Sequence, residues 1–155
     1  MAILSITRVQ RQAQPILLIR KRVSRDELQD MLAAHFGKVF AYCHEAGLPV
    51  AGFPLARYLS TGPDPWTVEA AIPLATPAPG KGEIESGLLP AGPAALGIHA
   101  GPYEDLPATN AAIARWIEDN GFTATGAPWE WYVTDPGEHP NPADWRTHVF
   151  WPLAD

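Results

Sequence analysis

An internal repeat constrains this chain more than any other feature of its sequence. Gly47, Gly52, Pro54 and Tyr58 match Gly121, Gly126, Pro128 and Tyr132 at a constant offset of 74 residues. Trp66 and Ile72-Pro73-Leu74 recur as Trp145 and Trp151-Pro152-Leu153 at an offset of 79, so the second half carries five extra residues in one loop. Two similar halves follow, about residues 1–76 and 83–155, each a strand or strands, then a helix, then a strand pair.

Local signals agree with that unit. Ser24 and Glu27 have the spacing of a capping box. After them Leu28, Met31, Leu32, Phe36, Val39, Phe40 and Cys43 recur at the spacing of one helical face, and Gly47 ends the run. A second helix is predicted from about Asp105 to Asn120, with Leu106, Ile113, Trp116 and Ile117 on its apolar face and Pro107 in its first turn. Eight short strands are predicted: 3–8, 15–22, 54–60, 67–73, 82–89, 94–100, 129–134 and 147–151. The 17 prolines punctuate them. The stretch 75–82 is read as a hinge inside one domain spanning 1–155, because neither half alone would bury its sheet. The fold class is therefore α+β: duplicated β-α-β-β halves with pseudo-twofold symmetry, an antiparallel sheet, two main helices and a central cleft.

Composition excludes several functions. The chain has 155 residues and a formal net charge of -6. Residues 1–78 hold eight Lys+Arg against six Asp+Glu, whereas residues 79–155 hold three against eleven, balances of +2 and -8. Without a broad basic face, direct nucleic-acid binding is not expected. An acidic second half suits a cationic small molecule. A single cysteine, Cys43, rules out an internal disulfide and fits a cytoplasmic setting. No apolar run approaches a membrane span, and the start carries no signal peptide. The five histidines lack metal-ligand spacing and the glycines form no phosphate or dinucleotide loop, so no metal and no cofactor are expected.

Strand alternation selects the candidate site. In Trp129-Glu130-Trp131-Tyr132, Glu130 and Tyr132 share one face and the tryptophans the other. Tryptophan suits a helix-covered face, which would leave Glu130 and Tyr132 on the open one. The repeat partner of Glu130 is Ala56 and that of Tyr132 is Tyr58, so only one half carries the acid. Glu130 then either sits on a solvated sheet face or points into the cleft between aromatic rings. Buried, it would need a ligand cation, tyrosine donors or protonation, which makes it a cation receptor or a general acid–base. In the other strand pair, Val68, Ala70 and Ile72 make the core face. Glu69 and its repeat equivalent His148, with Phe150, face the other way, as cleft wall or as plain surface. Trp66 and Trp145 are packing residues or rings at the cleft mouth.

Those residues also carry a family resemblance. His99-Ala100-Gly101-Pro102-Tyr103, Trp116-Ile117, Gly121, Pro128 through Pro136, and Trp145 to Leu153 together resemble the GyrI-like superfamily. That superfamily includes gyrase-inhibitory proteins and the effector-binding domains of multidrug-responsive regulators. The resemblance covers essentially the whole chain and implies a duplicated, SHS2-type unit with a central ligand cleft. It maps the family's cleft glutamate onto Glu130 and raises Tyr132, Tyr58, Trp66 and Tyr103 as aromatic lining. Residues 1–23 read as strands, unlike the DNA-binding helices that open the regulators.

Three functions follow as expectations. The first is binding or sequestration of small hydrophobic, aromatic or cationic compounds. The second is hydrolysis of cyclopropanoid or other electrophilic aromatic compounds, with Glu130 positioning water and Tyr132 holding the leaving oxygen. The third is inhibition of gyrase, through a protein partner.

Overall fold

A computed structural model describes residues 3–155. Its strands are β1 (Ile3–Arg11), β2 (Gln14–Val23), β3 (Leu55–Ser60), β4 (Trp66–Pro73), β5 (Glu85–Leu89), β6 (Gly92–Ala100), β7 (Trp129–Tyr132) and β8 (Arg146–Pro152). Two α-helices stand among the described residues, α1 (Leu28–Glu45) and α2 (Leu106–Asp119). The class is α+β, with antiparallel strands. All eight predicted strands and both helices are present. β5 starts three residues later than its sequence suggests, and β7 ends two residues earlier.

The chain divides into two compact units. One is Ala13–Pro90; the other joins the segment ending at Gln12 to Ala91–Asp155. In the first, the strand order is β3-β4-β2-β5 with α1 against it; in the second it is β7-β8-β6-β1 with α2. The duplication is thus β-β-α-β-β, and the leading strand of each half pairs in the other half's sheet. β1 pairs β6 rather than the β2 that follows it, and β5 pairs β2 rather than β6.

The repeat is legible down to single hydrogen bonds. Leu48 N donates to Cys43 O and Gly47 N to His44 O; Phe122 N donates to Ile117 O and Gly121 N to Glu118 O. Both pairs are the Schellman ending of a helix, which needs a left-handed residue. Gly47 and Gly121 supply it at φ 65° and 73°. The buried helix positions Leu32, Val39 and Cys43 recur as Leu106, Ile113 and Ile117, again 74 residues on. The Ser24 signal is met differently from the reciprocal box. Ser24 caps a short 3-10 turn, Arg25–Glu27, and its Oγ donates to Glu27 Oε1 at 3.2 Å.

Each helix covers one sheet face. Under α1 pack Leu17, Ile19, Ile72 and Leu74; under α2 pack Ala95, Val149 and Leu153. In the β7–β8 register, Glu130 lies opposite Val149, and Tyr132 opposite Thr147. Those residues therefore share the α2 face. Phe150, opposite Trp129, and His148, opposite Trp131, share the other.

Candidate functional site

The candidate site is built on the α2 face of the second unit. Glu130 is only 6% exposed. Its Oε1 accepts from the Tyr132 hydroxyl at 2.9 Å, and its Oε2 accepts from Asn110 Nδ2 at 2.9 Å. Both of these donors are neutral groups hydrogen-bonded to the carboxylate. Asn110 Oδ1 in turn accepts from the Trp151 indole N–H at 3.0 Å.

An aromatic wall stands beside this acid. The Tyr103 ring lies 5.2 Å from that of Tyr132 at 60° and 4.9 Å from that of Trp145 at 32°. Burial pushes the Tyr103 phenol above its ordinary value, and the charge of Asp135 adds to the shift. Tyr103 is therefore a neutral hydroxyl at physiological pH. The Trp145 indole donates to the His139 carbonyl at 2.6 Å, which ties its ring to the longer loop of this half.

His99 explains how Tyr103 is delivered. It is fully buried, with Nδ1 2.6 Å from Thr109 Oγ1 and Nε2 3.0 Å from the Pro102 carbonyl. A carbonyl only accepts, so Nε2–H donates to it, and the second ring nitrogen shares a hydrogen bond with the threonine hydroxyl. The imidazole thereby clips the end of β6 to α2 across the short 3-10 turn Tyr103–Asp105. The His-Ala-Gly-Pro-Tyr stretch is a structural device that sets the Tyr103 ring beside Tyr132, one wall of the candidate site.

The structure corrects one expectation. Alternation does put Glu130 and Tyr132 on one face and Trp129 and Trp131 on the other. The helix-covered face, however, is the one carrying Glu130. The apolar stripe of α2 is interrupted by Thr109 and Asn110, which bring polar partners down onto the sheet. The tryptophans pack on the far side, where Trp129 stacks on Phe150 at 5.3 Å and 18°. The Arg11 guanidinium lies 4.7 Å from the Phe150 centroid and 5.4 Å from that of Trp131. That face supplies its own cation, and burial pushes the neighbouring His148 imidazole below its ordinary value. Phe150 and His148 are thus on the opposite side of the sheet from Glu130.

The remaining candidates lie in the first unit. Tyr58 and Trp66 meet edge to face at 6.2 Å. Glu69 is fully buried and held by two guanidiniums: Arg57 Nε donates to Oε1 at 2.7 Å, and Arg20 donates to Oε2 at 2.8 and 3.0 Å. Glu69 thus sits in a closed ion-pair arrangement. Sequence reasoning missed Asn110 and the pairing of Trp151. The signal for Asn110 was present, since an asparagine sits in the stripe Leu106, Asn110, Ile113, Ile117 where an apolar residue is expected. Among the described residues no group of His, Cys, Asp or Glu could hold a metal ion. Among the described residues no helix is long and apolar enough to cross a membrane.

The duplicated strand–strand–helix–strand–strand scaffold is that of a class of small-molecule-binding domains. The match to known proteins specifies it: the chain belongs to the GyrI-like small-molecule-binding domain family, whose model matches residues 5–154. Among solved structures, the EcmrR C-terminal domain is similar over 100% of this chain and 99% of its own, at 20% identity and a TM-score of 0.87. In the EcmrR–DNA complex the same likeness has 21% identity and a TM-score of 0.85, over 97% of this chain but only 57% of that one. A hydrolase from Listeria innocua is similar at 16% identity and a TM-score of 0.70, over 96% and 91% of the two chains. SAV2435 bound to tetraphenylphosphonium is similar at 9% identity and a TM-score of 0.66, over 97% and 94%. At these identities the likenesses show the fold alone. No curated protein matches the sequence.

Proposed function

We propose that this chain binds small aromatic cations, with the Glu130 carboxylate as counter-charge and the rings of Tyr103, Tyr132 and Trp145 as apolar and cation–π contacts. One observation carries the reading: Glu130, a carboxylate only 6% exposed, accepts from the Tyr132 hydroxyl and the Asn110 amide next to the packed rings of Tyr103, Tyr132 and Trp145. A delocalised cation loses little hydration on entering such a site, and ring faces add about 0.5–2 kcal/mol when desolvated. The other face of the same sheet is disfavoured, because Arg11 already occupies its rings. The tetraphenylphosphonium carried by the structurally similar SAV2435 is the kind of compound expected. Tryptophan fluorescence titrated with tetraphenylphosphonium and with neutral triphenylphosphine oxide tests the reading. The cation should bind more tightly, and Glu130→Gln should weaken the cation at least about tenfold while barely moving the neutral compound. Equal losses would refute charge pairing.

A second reading rests on the Tyr132–Glu130 contact and the likeness to a hydrolase. Glu130 would take a proton from water as its oxygen attacks a strained cyclopropane carbon. The breaking C–C bond would send its electron pair to a conjugated carbonyl oxygen, which takes up the proton. Mass spectrometry of a cyclopropane-bearing alkylator should then show a product heavier by one water, absent with Glu130→Ala. No product, or a product that survives the substitution, removes this reading.

A further inference from the structure

The amide of Asn110 is held in one orientation by three contacts. Its Nδ2 donates to the Leu106 carbonyl at 3.1 Å and to Glu130 Oε2 at 2.9 Å. Its Oδ1 accepts from Trp151 Nε1 at 3.0 Å. An indole N–H can only donate and a backbone carbonyl can only accept, so a flipped amide would set donor against donor and acceptor against acceptor. Both amide hydrogens are then committed, one of them to the carboxylate. The indole also polarises the amide it donates to, which strengthens the N–H aimed at Glu130.

The repeat sharpens the point. At the same offsets, Asn110 corresponds to Phe36, Glu130 to Ala56 and Trp151 to Ile72. Three positions without a side-chain hydrogen-bonding group in one half carry one in the other, and there they form one connected line, from indole to amide to carboxylate. A lone Asn or Glu there would leave a buried polar group poorly satisfied. All three together are satisfied.

We infer that Asn110 is a positioning residue, clamped by Trp151, that holds Glu130 ionised and fixed in direction as the counter-charge for the bound cation. The inference deepens the binding function proposed above. A carboxylate that accepts a fixed N–H is favoured in its charged form, whereas a protonated acid would gain less from the same donor. A fixed direction also means that no rotamer freedom is lost when the cation arrives.

Two readouts on the intact chain separate this inference from the function itself. The first needs no ligand. In a 1H–15N spectrum the Trp151 indole signal is assigned through Trp151→Phe, and its response to Glu130→Gln is measured with Asn110 present and with Asn110→Leu. The expected result is a clear shift in the first background and none in the second, because the amide carries the coupling. A Trp151 signal that ignores Glu130→Gln, or responds equally without Asn110, would overturn the relay. The second readout is the affinity ratio of tetraphenylphosphonium to triphenylphosphine oxide. Asn110→Leu should lower it about tenfold, the scale of one hydrogen bond to a charged group, and Trp151→Phe should lower it less. An unchanged ratio in a folded Asn110→Leu protein would overturn the positioning role; if that variant fails to fold, the Trp151→Phe ratio decides in the same way. If the wild-type chain shows no cation preference, the binding function fails while the spectroscopic coupling stands or falls by itself.

Discussion

Tyr132 and Glu130 are two residues apart on β7, and the hydroxyl of the first donates to Oε1 of the second at 2.9 Å. Same-face neighbours on a strand rarely touch through short side chains; a tyrosine reaches over the intervening residue. The bond is part-buried and made to a carboxylate, so it should be worth about 1.5–2 kcal/mol. A double-mutant cycle with Tyr132→Phe and Glu130→Leu, read by urea unfolding, should give a coupling of that order. Strict additivity would mean that the two groups do not support each other.

Glu69 should behave as a structural acid. Its carboxylate is fully buried between Arg57 and Arg20, whose side chains are 17% and 43% exposed. Removing one partner of a buried pair costs about 3–5 kcal/mol, reduced here by the solvent that reaches Arg20. Glu69→Ala should therefore lower stability by about 2–3 kcal/mol and leave the preference for cations over neutral compounds unchanged. A selective loss of cation binding would put Glu69 in the site.

Acid should weaken the fold through His148. Burial holds its folded imidazole below the ordinary value of about 6.5, and His35 is shifted the same way by the same cause. Below that pH the unfolded chain takes up more protons than the folded one, so stability is full above it and falls as pH drops through the window beneath. Tm measured between about pH 7.5 and pH 5 should decline, and His148→Gln should flatten the decline. A variant with the wild-type slope would assign the loss elsewhere.

Gly97 sets how closely α2 sits on β6, and hence where Asn110 hangs over Glu130. A Cβ at Gly97 would stand 2.5 Å from Cδ1 and 2.9 Å from Cγ1 of Ile113, a fully buried residue. Gly97→Ala should cost about 1–3 kcal/mol by overpacking, and Ile113→Val should recover part of it. Urea unfolding of the single and double variants checks this; equal stability of Gly97→Ala and wild type would contradict the packing.

Much of this was legible in the sequence, because the repeat and the strand alternation are local signals. The matched glycines gave both helix ends, and the matched tryptophans and prolines gave the last strand of each half. Glu130 and Tyr132 were paired correctly by parity, but their face was inverted. Parity says which residues travel together and not which side a helix covers, and the bulk of Trp129 and Trp131 pointed the wrong way. The exchange of β1 and β5 between the sheets is a pairing choice with no local signature. The double clamp on Glu69 and the Trp151–Asn110–Glu130 line join residues far apart in sequence, where spacing carries no information.

A crystal structure of the chain grown with tetraphenylphosphonium tests the cation-binding proposal most directly. The expected result is density on the α2 face, with the phosphonium beside the Glu130 carboxylate and within about 6 Å of the Tyr103 or Trp145 ring centroid. Density against Phe150 and Trp131 on the opposite face, or a cation bound with Glu130 turned away from it, would contradict it.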